Sequence, residues 1–169
     1  LAEAAKRLCE YLATFTSDAE GWLLLHDIYL TSAQYKRAAF CMEELILINP
    51  MSYIYHVRAG EVTYTMGMSS SAGSHDLLLT ARKYFAHALE LKPEGNLRAL
   101  YGILLVCAAI GSSTKGKGTK VDTTELLAYI QPLIAKCYTP PGAAPHPMRA
   151  MALAMVKRLT GSGSAAQGA

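Results

Sequence analysis

Residues 22–50 of this 169-residue chain, WLLLHDIYLTSAQYKRAAFCMEELILINP, carry the pattern that decides the fold. Within this stretch Trp22, Leu25, Tyr29, Ala38 and Pro50 have the spacing of a helix-turn-helix unit, in which two antiparallel helices share one apolar face. The bulky members of the pattern fill the space between the two helices. Since one such pair cannot bury its shared face alone, the stretch predicts further helix pairs stacked against it.

This spacing is the signature of the tetratricopeptide repeat. It predicts an all-α fold, a tetratricopeptide-repeat α-solenoid in which antiparallel helix pairs stack into a right-handed superhelix. Solenoids of this kind work mainly as surfaces that hold other proteins. We therefore expect the function to lie on a surface and not in a catalytic pocket.

A second repeat follows the first. The twelve-residue spacing from Ala38 to Pro50 recurs from Ala81 to Pro93. Compared with the first repeat, nine additional residues stand between the two helices of the second, at 68–76. Their serine and glycine content predicts a loop.

The remaining segments extend the solenoid to a single predicted domain over residues 1–160, about three repeats and a cap, followed by a disordered tail at 161–169. A degenerate third repeat begins after Pro93, and its second helix is expected at 122–137. Apolar residues at helical spacing over 148–159 predict a terminal capping helix with one apolar face. Ahead of the first repeat, the segment around Leu8 fits the second helix of an earlier repeat, so we expect an N-terminally truncated solenoid.

Composition and charge narrow the function classes. The chain is 51% hydrophobic and 17% charged, which is enough apolar material for a continuous core. The net charge of +3 arises from the lysine-containing segment 115–120, and no basic stripe interleaved with aromatics is present, so we expect no nucleic-acid partner. The longest apolar run, 99–110, is shorter than the roughly 20 residues of a membrane span. We therefore expect no span and no signal peptide, and membrane contact only through partners.

Chemistry-bearing motifs are weak. Residues 111–118 match G-x-x-x-x-G-K, but Gly118 stands where a phosphate loop needs Ser or Thr, and the segment follows a predicted helix and not a strand, which favours a flexible loop. The four cysteines are at least 30 residues apart and predict buried thiols in a reducing compartment. The histidines form no metal or nucleophile motif, and His26 is interpreted as a core histidine at a position where the repeat prefers Gly or Ala. We predict no catalytic residue, no metal site, no cofactor and no enzyme.

The first helices of the repeats are expected to turn one face toward the concave side of the superhelix. The predicted partner-binding residues on that face are Leu23, Asp27, Leu30, Ile54, Val57, Glu61, Tyr64, Ala99, Ile103 and Val106. This face is apolar with two acids, and it suits an extended or helical apolar segment that carries a basic residue opposite Asp27 or Glu61. Tetratricopeptide domains that clamp the carboxylate of heat-shock chaperones present Lys and Asn where this chain has Leu23 and Asp27. Co-chaperone activity is therefore disfavoured.

Longer strings resemble one family in particular. Residues 12–22 (LATFTSDAEGW), 35–45 (YKRAAFCMEEL), 59–67 (AGEVTYTMG) and 81–91 (ARKYFAHALEL) are similar in order and spacing to subunit 2 of the endoplasmic reticulum membrane protein complex. The similarity extends over about residues 1–110. The string AAFCxEEL is more specific than a bare tetratricopeptide pattern.

The resemblance implies a non-catalytic scaffold that supports insertion of transmembrane segments. It implies a peripheral position on the cytoplasmic side of the endoplasmic reticulum membrane. Its expected partners are other subunits of a membrane-embedded complex, held through their cytosolic domains and tails. A stand-alone peptide-binding adaptor or a co-chaperone is the alternative that the repeats leave open.

Overall fold

The helices follow one another in antiparallel pairs. A computed structural model describes residues 1–70, 74–113, 123–139 and 146–161, and these residues form eight α-helices with no β-strand among them. The helices are α1 (Ala2–Thr14), α2 (Ala19–Thr31), α3 (Tyr35–Ile48), α4 (Tyr53–Ser69), α5 (Ser74–Leu91), α6 (Leu97–Ser113), α7 (Thr124–Cys137) and α8 (Arg149–Gly161). The predicted all-α repeat fold is confirmed.

Local signals define the first complete pair, α2 and α3. The Asp18 carboxylate caps α2 by accepting a hydrogen bond from the Glu20 backbone N–H at 3.1 Å. The turn into α3 has Ala33 in the left-handed conformation, with φ of 54°, and the Gln34 N–H closes it on the Tyr29 carbonyl at 2.9 Å. Trp22 is buried in this pair and packs edge-on against Phe40, with ring centroids 6.0 Å apart. The predicted position of Trp22 is confirmed.

The second pair is longer than the first, and the predicted loop at 68–76 is wrong at both ends, while Ser70 lies outside the helices and residues 71–73 lie outside the described part of the chain. Helices α4 and α5 have 17 and 18 residues, against 13 and 14 for α2 and α3. Met68 and Ser69 belong to α4, and α5 begins at Ser74. The Ser69 hydroxyl donates to the Thr65 carbonyl at 2.9 Å, and the Ser74 hydroxyl donates to the Gly67 carbonyl at 2.7 Å. Serine is compatible with these helix ends because its hydroxyl finds a backbone acceptor there.

Phe85 of α5 occupies the space between α4 and α6. Its ring is 2% exposed and lies against Gly60 of α4 and Gly102 of α6, where side chains would collide with it. The small residues of the repeat pattern therefore have a direct steric role, since they let an aromatic ring of one helix lie close to the backbone of two others.

Helix α4 joins two core clusters. Its Ala59 and Val62 pack with the buried residues of α1, α2 and α3, whereas Val57 packs with those of α5, α6, α7 and α8. This sharing of one helix between successive cores is the arrangement by which stacked repeats bury what a single pair leaves open.

The terminal helix α8 packs against α6 and α7. It buries Ala152 and Val156, while Leu159 is partly buried against the same core. Three methionines of the predicted apolar face, Met148, Met151 and Met155, remain exposed. The expectation that this apolar face is covered is therefore correct for only half of its residues. The predicted second helix of the third repeat is α7, and most of the predicted loop at 111–120 and of the tail at 161–169 lies outside the described residues.

The cysteines do not all have the predicted environment. Cys41 and Cys107 are buried as expected, and burial raises the pKa of the Cys41 thiol to about 12 and that of Cys107 to about 11. Both are therefore protonated and behave as small apolar groups. Cys9 is exposed instead, with its sulfur 3.4 Å from the Tyr29 hydroxyl oxygen, and Cys137 is half-buried.

Candidate partner-binding surface

The first helices of the pairs, α2, α4 and α6, carry two adjoining depressions. One of about 240 Å³ lies between α2 and α4, and one of about 550 Å³ lies between α4 and α6. Glu61, Thr65 and Arg98 line both depressions, so the two form one continuous surface. We call it the α2–α4–α6 surface, and its other lining residues include His26, Asp27, Leu30, Arg58, Tyr64, Tyr101 and Tyr138.

Four of the predicted partner-binding residues are not on any accessible surface. Val57 is 2% exposed, Ile103 is 1% exposed, and Ala99 and Val106 are fully buried. These side chains therefore do not offer a partner an exposed surface as predicted, although Val57 borders the depression that Ile54 lines. The physical reason is that α6 packs against α4, α5, α7 and α8, so the face of α6 that the repeat pattern directs outward is covered by its neighbours.

The other predicted residues are accessible. Asp27 and Ile54 are exposed, and Leu23, Leu30, Glu61 and Tyr64 are half-buried. Asp27, Leu30, Glu61 and Tyr64 line the α2–α4–α6 surface, while Ile54 lies in a smaller depression next to Arg98. Leu23 packs on the core cluster around α2. Binding by these residues stays a prediction.

The two acids of this surface have arginine partners within the chain. Arg58 Nη1 lies 3.7 Å from Asp27 Oδ1. Arg98 holds Glu61 with two bonds, in which Nε donates to Oε1 at 2.9 Å and Nη2 donates to Oε2 at 2.6 Å. The expected role of the acids, free carboxylates facing a basic residue of the partner, is therefore corrected. The surface carries two acid–arginine pairs and no net charge from these four groups.

Sequence reasoning missed Arg58 and Arg98. Each arginine follows its acid by 31 or 37 positions, which is close to the repeat length of about 34 residues. An acid on one repeat followed by an arginine about one repeat later was therefore the available signal. The pairs are partly exposed, so each contributes only about 0.2–1 kcal/mol to stability, but the two-point Arg98–Glu61 contact fixes the positions of both side chains.

The larger depression is a tyrosine pocket, formed by Tyr64, Tyr101 and Tyr138. The Tyr101 hydroxyl donates to the Tyr138 hydroxyl oxygen at 3.3 Å. Burial raises the pKa of Tyr101, and the bond to Tyr138 acts in the same direction, so the phenol is neutral at physiological pH. Apolar walls with two hydroxyl groups at one edge suit an apolar side chain whose neighbouring backbone needs a hydrogen-bond partner.

His26 lies beneath the smaller depression and is 1% exposed. Its Nδ1 is 2.9 Å from the Ala38 carbonyl oxygen. Burial lowers the pKa of His26, so the ring is neutral and Nδ1–H donates to the carbonyl across the α2–α3 pair. The interpretation as a core histidine is confirmed.

Within the described ranges, no three His, Cys, Asp or Glu side chains are grouped so that they could hold a metal ion. The helices of those ranges also include none with both the length and the apolar content needed to span a bilayer.

Comparison with known proteins gives the family. Residues 1–75 match the family described as the EMC2 TPR-like repeat domain. The ER membrane protein complex subunit 2 of Xenopus tropicalis is 39% identical over 138 residues, which cover 81% of this chain and 44% of that protein. The subunit of the same name from Dictyostelium discoideum is 30% identical over 115 residues, covering 62% of this chain and 34% of its own length.

The TPR repeat protein oca3 of Schizosaccharomyces pombe is 29% identical over 105 residues, covering 62% of this chain and 36% of that protein. The chain spans less than half the length of the curated relatives it matches. The resemblance inferred from the strings of residues 12–91 is confirmed by these matches. Residues 1–75 of this chain therefore form a domain of the EMC2 TPR-like repeat family.

Proposed function

We propose that this chain is part of a non-catalytic scaffold that resembles subunit 2 of the ER membrane protein complex and supports insertion of transmembrane segments. In this proposal the α2–α4–α6 surface binds segments of other complex subunits, including cytosolic tails of membrane-embedded ones. The scaffold then sits peripherally on the cytoplasmic side of the endoplasmic reticulum membrane. The observation that carries the proposal is the surface itself, a tyrosine pocket bordered by two acid–arginine pairs.

The acid–arginine pairs give the surface a rigid polar border. Because Glu61 already accepts two bonds from Arg98, a partner side chain meets a fixed, neutral edge and not a mobile carboxylate. Such a border excludes water around the pocket and leaves the apolar centre to supply the binding free energy. The preferred partner is therefore an apolar segment without a strong net charge.

The alternative of a co-chaperone fits less well. Clamping a chaperone carboxylate requires unpaired cations on the first helices, whereas both arginines of this surface are paired with Asp27 and Glu61. A stand-alone adaptor would use the same surface, so only the identity of its partners separates it from a complex subunit. The relatives are named as complex subunits, which favours the complex.

The test is affinity purification of the full-length protein from cells with and without the double variant Ile54→Asp/Tyr64→Ala. Ile54 is 43% exposed and lies at the edge of this surface beside Arg98, whereas Tyr64 is half-buried and packs partly against the core, so we expect a modest loss of stability in a folded chain. A charge placed in an interface, together with the loss of an aromatic contact, weakens the binding free energy by about 2 kcal/mol or more. This corresponds to about a 30-fold loss of affinity. We expect membrane subunits to be lost from the purified material while the variant still unfolds cooperatively, at a slightly lower melting temperature.

Leu47→Asp is the matched control, since Leu47 of α3 is 76% exposed and lies away from this surface. The control should retain every partner. Retention of all partners by a folded double variant would contradict the proposed surface. Recovery of chaperones in place of membrane subunits with the wild type would favour the co-chaperone.

A further inference from the structure

Three methionines form an exposed stripe at α8, with Met148 directly before the first residue of the helix and two within it. Met148, Met151 and Met155 are 46%, 60% and 46% exposed, and they follow one another at three- and four-residue steps on one side of the helix. Arg158 is exposed and continues the same stripe three residues after Met155. A helix face that meets only water normally carries charged and polar residues, so this stripe requires an explanation.

A second exposed stripe runs beside the first and consists of Ala150, Ala154 and Lys157. Residues 148–158 contain no Ser, Thr, Asn, Gln, Asp or Glu. The exposed half of α8 is therefore apolar along most of its length, with two cations at its C-terminal end and no acid beside them.

The orientation of α8 prevents this face from joining the core. Ala152, Val156 and Leu159 lie on the adjacent side of the helix, where Ala152 is buried and Val156 and Leu159 belong to the core cluster that contains residues of α6 and α7. Because that contact covers one side of the helix, the methionines lie at its edge, and the exposed sector continues from them to Ala150, Ala154, Lys157 and Arg158.

We propose that the exposed face of α8 binds the surface of a membrane that contains anionic lipids. A protein partner would be expected to exchange about one hydrogen bond per 100–200 Å² of interface, yet this face has no neutral polar side chain to supply one. A lipid surface has no such requirement. The methionines enter the boundary between headgroups and acyl chains, and Lys157 and Arg158 reach the phosphates of the headgroups.

This inference does not rest on the proposed function. It uses α8, whereas partner binding is assigned to α2, α4 and α6, so either can fail alone. It also departs from the sequence-based expectation that the chain meets a membrane only through partners. The departure follows from the exposure of the methionines, which the apolar spacing of residues 148–159 did not reveal.

The test is co-sedimentation of the chain with phosphatidylcholine vesicles that do or do not contain phosphatidylserine. We expect binding only to the anionic vesicles. Each cation near such a surface changes the partition coefficient about fivefold, so Lys157→Gln/Arg158→Gln should lower it about 25-fold. Met151→Gln/Met155→Gln should also lower it at the same lipid composition, because the loss of apolar contact does not depend on charge.

The matched control is Lys6→Gln/Lys83→Gln, which removes two exposed cations from other helices and changes the net charge equally. It should bind as the wild type does, and the emission of the single, buried Trp22 reports that each variant is folded. An equal loss in the control, or no binding by the wild type, overturns the proposal. Loss of a co-purifying protein from the methionine variant, with no vesicle binding by the wild type, would assign the face to a protein.

Discussion

Replacing Gly102 by alanine should destabilise this protein, although the same change in the middle of an ordinary helix stabilises. A Cβ atom at Gly102 would lie 2.5, 2.6 and 2.7 Å from Cε1, Cζ and Cδ1 of Phe85. These distances are far inside van der Waals contact. The ring has no space to withdraw, because it is 2% exposed and its other neighbour is Gly60, where a Cβ would lie 2.9 Å from the ring.

Two opposing terms set the magnitude. Replacing a glycine in a helix interior by alanine raises the free energy of unfolding by about 0.5–1 kcal/mol, because the unfolded chain loses backbone entropy. Overpacking a closed core costs about 1–3 kcal/mol, and a clash with three ring atoms belongs at the upper end of that range. We therefore expect Gly102→Ala to lower the free energy of unfolding by about 1–2 kcal/mol. For a domain of this size this corresponds to a melting temperature lower by about 2–8 °C.

The measurement is urea unfolding followed by circular dichroism, with Gly111→Ala as the control. Gly111 is in the same helix, and a Cβ there meets no atom within 4 Å, so the control should gain stability or remain unchanged. In the double variant Gly102→Ala/Phe85→Leu the ring atoms that collide are gone. Its loss of unfolding free energy should therefore be about 1 kcal/mol smaller than the sum of the losses of the two single variants. A Gly102→Ala variant as stable as Gly111→Ala would refute this packing of Phe85.

Three further predictions concern the α2–α3 pair. Trp22→Ala should lower the free energy of unfolding by about 3–5 kcal/mol, because it empties a buried site; an unchanged urea midpoint would contradict this. Ala33→Gly should raise the free energy of unfolding by about 1 kcal/mol, since an exposed alanine at a φ of 54° is strained; lower stability on urea unfolding would contradict the left-handed turn. The lowered pKa of His26 means that the unfolded chain binds a proton more readily than the folded one. The contribution of neutral His26 to the free energy of unfolding is therefore complete above about pH 6.5 and is lost as the pH falls through the lowered pKa. Urea midpoints measured from about pH 7.5 to about pH 5 should therefore fall less steeply for His26→Gln, which does not titrate, and an unchanged slope would assign the pH dependence to other groups.

The sequence-based prediction of the binding surface failed where one helix pair stacks on the next. Val57, Ala99 and Ile103 occupy positions that face outward in an isolated repeat, and they are buried because α6 has neighbours on both sides. The pairing of Asp27 and Glu61 with Arg58 and Arg98 joins residues of successive repeats. Such contacts depend on the distance between helices that are not adjacent in sequence, and no local pattern reports that distance.

The predicted loop at 68–76 was wrong at its two ends, residues 68–69 and 74–76, for a different reason. Serine and glycine disfavour helices on average, but this preference is weak and depends on whether each hydroxyl can find an acceptor. Here Ser69 and Ser74 both bond to backbone carbonyls of α4, at Thr65 and Gly67. Local hydrogen bonds therefore lengthened both helices where composition predicted a break.

The sequence by itself determined the helical repeat, the family and the absence of any recognised catalytic motif, because these depend on residue types at fixed spacings along one or two helices. Trp22, Leu25 and Tyr29 lie on one face of α2 whatever surrounds them, and His26 and Ala38 are buried with them. Only the tertiary structure decided which apolar residues are available to a partner. It buried Ile103 and left Met151 exposed, although both are apolar residues at helical spacing, because α6 is enclosed by neighbouring helices, whereas the described part of the chain covers α8 on one side.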